Sequence, residues 1–198
     1  FFIFHMINNI INFIIISILL SSQVFAFSEL DLIKATNDCI SCDLIDADIT
    51  GANLSGKDFT GVNFTGSDLR GVDFSKSILY SSNFTNTDLS GSKLKGVDLT
   101  GVNFTNSEMY GLDLLNINLT GANLTNANLS GSSLFASNLT RANLTRANLT
   151  NVNLFGANLT GANLTGANLS NSDIFGVKFN EVIFCNTLLP SGIDNSGC

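Results

Sequence analysis

A single histidine, one proline and a charged content of only 13% are the first scarcities of this 198-residue chain. With His5 as the sole imidazole, in a segment expected to be removed, no nucleophile and base pair can be assembled; the sequence reads as a non-enzyme without cofactors. Nine Lys and Arg face sixteen Asp and Glu, and no basic stripe exists, which argues against nucleic acid as a partner. Glycine never opens a helix as a phosphate-binding loop would require; it returns at a five-residue period instead. The apolar run from Ile10 to Leu20 is short for a membrane span, and Val24-Phe25-Ala26 after it forms a small-x-small cleavage site. Residues 1–26 therefore read as a signal peptide, which predicts a periplasmic or secreted protein with no stable membrane span after cleavage.

What is present is a beat of five. From Leu44 to Leu189 every fifth residue is Leu, Ile, Phe or Met, in thirty units, and the position two before it is mostly small, as at Ala122, Ser132, Ala142 and Ala162. Neither a helix of period 3.6 nor a strand of period 2 keeps that phase. Uninterrupted self-similarity of this kind predicts a solenoid, in which each unit buries its apolar side only against its neighbours.

Stretches such as GANLTGANLTGANLS, Gly156 to Ser170, resemble the pentapeptide repeat family over about three-quarters of the chain. The resemblance implies an all-β fold, a right-handed quadrilateral β-helix in which four pentapeptides make one square coil. The central apolar residue and the small residue two before it would point inward. Expected boundaries are an N-terminal cap over 27–41, the repeat β-helix over 42–191 and a C-terminal tail over 192–198. Ser28 followed by Asp31, with Leu30, Ile33 and Ala35 supplying an apolar side, predicts a short capping helix across the open end of the shaft.

Cys39 and Cys42 form C-x-x-C beside this cap, and Cys185 and Cys198 lie at the far end. Metal binding, redox exchange and a structural staple are all open to such a motif. A zinc site wants four ligands together, and a redox motif wants a βαβ context. In an exported chain the expectation is two local disulfides, Cys39 with Cys42 and Cys185 with Cys198.

With a twenty-residue coil the side chains sort into four walls, numbered in order of their first central residues, Leu44, Ile49, Leu54 and Phe59. Wall 1 carries outward columns of Asn (63, 83, 103, 123, 143, 163) and Thr (65, 85, 105, 125, 145, 165). They read as a self-supporting ladder or, more sharply, as a hydroxyl lattice that orders water. Wall 2 stacks Asp48, Asp68, Asp88 and Glu108, whose mutual repulsion predicts raised pKa values unless a cation or Arg70 compensates; a strip for divalent cations is the weaker alternative to a solvated acidic face. Wall 3 places Leu115, Phe135, Phe155 and Phe175 at the outward position that holds Ser55 and Ser75 in earlier coils. Such a stripe is a ladder supporting its own coil, a face for a protein partner or homodimer, or a membrane contact. Wall 4, with Thr60, Thr100, Thr120, Thr140 and Thr160, gives no comparable signal.

Two places break the pattern. Leu112 and Ile117 put large residues at consecutive small inward positions, where the shaft should widen or shift, and Lys57 falls at an inward position, so the first coil is either loose or lets that side chain snorkel out. The functional expectation is a non-catalytic, exported rod that binds a partner or itself through wall 3. The alternative comes from the resemblance, because some pentapeptide proteins mimic DNA and act on DNA gyrase. That role wants acidity along much of the rod, whereas residues 42–113 carry ten acids against five bases and residues 114–180 one against three.

Overall fold

A computed structural model describes Cys39 and residues 44–198. The signal segment, Cys42 and all of the expected cap except Cys39 lie outside the described residues. Among the described residues there is no helix, and the continuous strands are two short ones near the end, β1 (Thr187–Leu189) and β2 (Gly192–Asp194).

The rest is a β-helix built from single-residue parallel bridges at a spacing of twenty, such as Asp48 to Asp68, Asn63 to Asn83, Asn123 to Asn143 and Asn148 to Asn168. Walls are short because each pentapeptide ends in a tight turn. Ala122 N donates to Leu119 O and Ala127 N to Leu124 O, both at 3.0 Å. The third residue of each turn is left-handed, with φ of 64° at Gly121 and 57° at Asn126, which is the type II signature. Glycine and asparagine tolerate that conformation best, which explains their five-residue period.

Inside, the central residues are fully buried from Leu54 to Leu169. The wall 1 rings stack along the axis, Phe64 on Phe84 at 4.7 Å and Phe84 on Phe104 at 5.2 Å, with Phe74 set edge-on to Phe64 at 5.8 Å. Small inward residues leave room for them, and inward hydroxyls are satisfied by backbone carbonyls: Ser132 Oγ donates to Met109 O at 2.8 Å and Ser137 Oγ to Leu114 O at 2.7 Å. Lys57 is half-buried, so its inward position is not sealed.

At the C-terminal end Ile174, Val177, Phe179, Val182, Phe184 and Leu189 are only partly buried. A hairpin fastens this end: β1 pairs antiparallel with β2, Leu188 opposite Ile193, and Cys185 is bonded to Cys198. Cys39 is also disulfide-bonded. Gly197 makes the closure possible, because its amide donates to Phe184 O at 2.6 Å and a Cβ there would stand 2.7 Å from Phe184 N.

The ladder is interrupted at a seam. In an intact coil step a central amide reaches the coil above, as Leu114 N does to Ser133 O and Leu134 N to Asn153 O, both at 2.8 Å. Among the described residues, the amides of Gly91, Leu94 and Gly96 make no such bond to Tyr110, Asp113 and Leu115, nor does that of Asp113 to Ser92, whereas one repeat on Asp98 is bridged to Asn118 again. Just before this stretch, Leu79 N and Ser81 N miss Asp98 and Thr100, and Asp98 N misses Ser77. The sequence supplies the cause: Leu112 stacks over Ser92 and Ile117 over Val97, where the coil above carries Ser132 and Ser137.

Candidate functional site

The four walls differ in what their outward groups have left to offer. On wall 1 each Thr hydroxyl donates within its own repeat, Thr125 Oγ1 to Asn123 Oδ1 at 2.7 Å, and from Thr65 to Thr125 each also accepts from the next coil, Asn143 Nδ2 to Thr125 Oγ1 at 2.9 Å. The same bonds join wall 4, from Asn118 Nδ2 to Thr100 Oγ1 up to Asn158 Nδ2 to Thr140 Oγ1. The expectation of one such column is therefore corrected to two: Asn or Asp two before Thr accepts its hydroxyl, and an Asn in the coil above donates the bond between coils. Their hydroxyl protons are used inside the protein, which leaves an ordering lattice little to work with.

On wall 2 the acidic column is in register, Asp48 bridged to Asp68, Asp68 to Asp88 and Asp88 to Glu108. At Asp68 the compensation by Arg70 that the sequence allowed is found, and at Asp48 a local hydroxyl outweighs the expected repulsion. The Arg70 side chain donates to both oxygens of Asp68, by Nε at 2.8 and 3.0 Å, and holds its carboxyl down to about 2. Hydrogen bonds from the Thr50 hydroxyl and amide hold Asp48 below its ordinary value. Arg70 also lies 3.9 Å from Asp88, and Glu108 accepts from Asn128 Nδ2 at 2.7 Å. Among the described residues no three His, Cys, Asp or Glu group as metal ligands would, so Asp48, Asp68, Asp88 and Glu108 do not converge on a common point.

Wall 3 is different, since its outward rings have no polar group to satisfy. Phe135 and Phe155 stack at 5.4 Å with planes 4° apart, and Phe155 and Phe175 at 5.5 Å. They point away from the axis: exposure rises from 37% and 39% to 73% at Phe175, while Leu115 below them is half-buried. Backbone turns aim them, Phe155 N donating to Asn153 Oδ1 and Phe175 N to Asp173 Oδ1, both at 3.0 Å. Small corner residues, Ala136, Gly156 and Gly176, flank the rings and leave them proud of the wall. Below the seam the same wall carries exposed Lys93 and Lys95, with Lys76 at its corner; Lys93 pairs with Asp73 at 3.2 Å.

Five-residue units whose neighbours stack at a spacing of twenty define a β-solenoid. The family model described as pentapeptide repeats matches in eight copies over residues 42–79, 82–121, 113–151 and 153–189, and the chain belongs to that family. Among solved structures it is similar to HetL from the cyanobacterium Nostoc, a pentapeptide repeat protein involved in heterocyst differentiation regulation. The two are 24% identical over 79% of this chain and 92% of that one, with a TM-score of 0.45. QnrB1, a plasmid-mediated fluoroquinolone resistance protein, is 22% identical over 81% and 89%, with a TM-score of 0.40. A pentapeptide repeat protein from the Arabidopsis thaliana thylakoid lumen is 32% identical over 53% and 66%, with a TM-score of 0.29. Comparison with curated proteins finds no match.

Proposed function

We propose that the protein is an exported, non-catalytic, right-handed rod that binds a protein partner through wall 3. The observation that carries this is the outward stack of Phe135, Phe155 and Phe175, where consecutive coils replace a satisfied hydroxyl with an exposed ring. Exposed aromatic groups in register mark contact surfaces more often than scattered apolar residues do. The lysines at the foot of the wall favour a partner with an apolar strip that ends in carboxylates.

The second reading, a DNA mimic acting on DNA gyrase, draws on the acidic column of wall 2. That column stops at Glu108, and Arg70 neutralises its middle, so the aromatic wall is the better supported site. The test is the triple variant Phe135→Ser, Phe155→Ser, Phe175→Ser. Breaking the stack removes about 0.5 to 1.5 kcal/mol per ring pair, a loss the fold survives. The wild type is expected to retain a defined envelope protein in pull-down, with the variant losing it at least tenfold while keeping a cooperative melt. Equal retention by both proteins, or retention of gyrase by both, would remove wall 3 from the account.

A further inference from the structure

We propose that Gly91–Thr100 is a hinge, about which the upper coils tilt against the lower ones by opening walls 3 and 4 while walls 1 and 2 stay closed. Three observations support it independently. The first is that the missing bonds are one-sided. Across the same step wall 1 keeps Phe84 N to Asn103 O at 2.7 Å and Asn86 N to Thr105 O at 2.9 Å, together with the side-chain bond from Asn106 Nδ2 to Asn86 Oδ1 at 2.9 Å. Wall 2 keeps Leu89 N to Glu108 O at 2.8 Å. A stack fastened along two adjacent walls and free on the other two bends toward the fastened corner.

The second observation is the Ser92 hydroxyl, buried and without a hydrogen-bond partner among the described residues. In the same column Ser132 and Ser172 donate to Met109 O and Leu149 O of the coil below. Ser92 makes no such donation to Leu69 O, and a buried unmet hydroxyl beside the open step lowers the resistance to opening because water can satisfy it once the gap widens. The third is the sequence wedge, Leu112 and Ile117 side by side at inward positions otherwise held mostly by small residues. Leu112 N donates to Ser132 Oγ at 3.0 Å, as Val152 N does to Ser172 Oγ at 3.1 Å, so the wedge residue itself is tied to the coil above it.

The open step separates Lys95 from Leu115, and bending there changes the distance from the cationic foot of wall 3 to its apolar stripe. It stands whether or not that wall binds anything. Hydrogen exchange on the full chain tests it first. The amides of Leu94, Gly96, Asp98 and Asp113 are expected to exchange about a hundredfold faster than their counterparts Leu134, Ala136, Asn138 and Asn153. Spin-label pairs three coils apart give the direction of bending: a pair at positions 75 and 135 on wall 3 should show a broader distance distribution than one at 65 and 125 on wall 1. Leu112→Ala with Ile117→Ala should slow exchange at Leu94 and Asp113 about tenfold by closing the seam. Equal protection across the two sets of amides, or equal distribution widths on the two walls, overturns the hinge even if the double variant fails to fold.

Discussion

Phe84→Ala is expected to destabilise the lower coils by about 3 to 5 kcal/mol. The ring is fully buried between Phe64 and Phe104, at 4.7 and 5.2 Å, with Phe74 edge-on at 6.0 Å. Truncation empties the middle of a three-ring stack, and the flanking coils cannot close over the space because their ladder on wall 1 fixes the axial spacing. In a solenoid the damage stays with nearest neighbours, so denaturant unfolding should show an early transition for coils below the seam while those above it persist. A loss under about 1 kcal/mol would mean that the shaft repacks and that ring stacking is incidental.

The second large effect concerns the C-terminal closure. Cys185 and Cys198 enclose a separation of 13 residues, a loop whose cross-link contributes about 3 kcal/mol against the unfolded chain. Here that contribution falls on a terminal coil whose own core is only partly buried. The double variant Cys185→Ser, Cys198→Ser should release the hairpin, so that Gly197 N, bonded to Phe184 O, and Asn186 N, bonded to Asn195 Oδ1 at 2.7 Å, lose protection and the tail becomes open to protease. The coils from Leu119 to Leu159 should keep theirs. Unchanged tail protection would show that the short β1–β2 pairing suffices alone.

Much of this is legible in the residues because a solenoid has almost no long-range ambiguity: the neighbour of residue n is always n plus twenty. That arithmetic places Phe64 under Phe84, lines up Asp48 with Asp68, and turns Phe155 outward. The wedge at Leu112 and Ile117 is also visible as a clash of sizes, although not which hydrogen bonds it breaks, since that depends on how strain divides between the coils above and below. Three features escape such a reading in whole or in part. Wall 4 carries the same Asn–Thr ladder as wall 1, concealed by Tyr80 at one step and Asp98 at another. Stacked carboxylates suggest repulsion, but Thr50 and Arg70 lie within two residues of Asp48 and Asp68 and act at hydrogen-bond distance, where local contacts outweigh charges a full coil away. The hairpin cannot be read at all, because Leu188 still keeps the ladder with Asn168 and the return strand β2 lies beyond the last beat at Leu189.

Wall 3 as a contact face is tested most directly by site-specific photocrosslinking in intact cells. A photoreactive residue at position 155 is expected to yield one discrete adduct, while the same residue at position 145, on the opposite wall, yields none. Adducts of equal strength from both positions, or none from 155 while the protein is folded and present, would contradict the account.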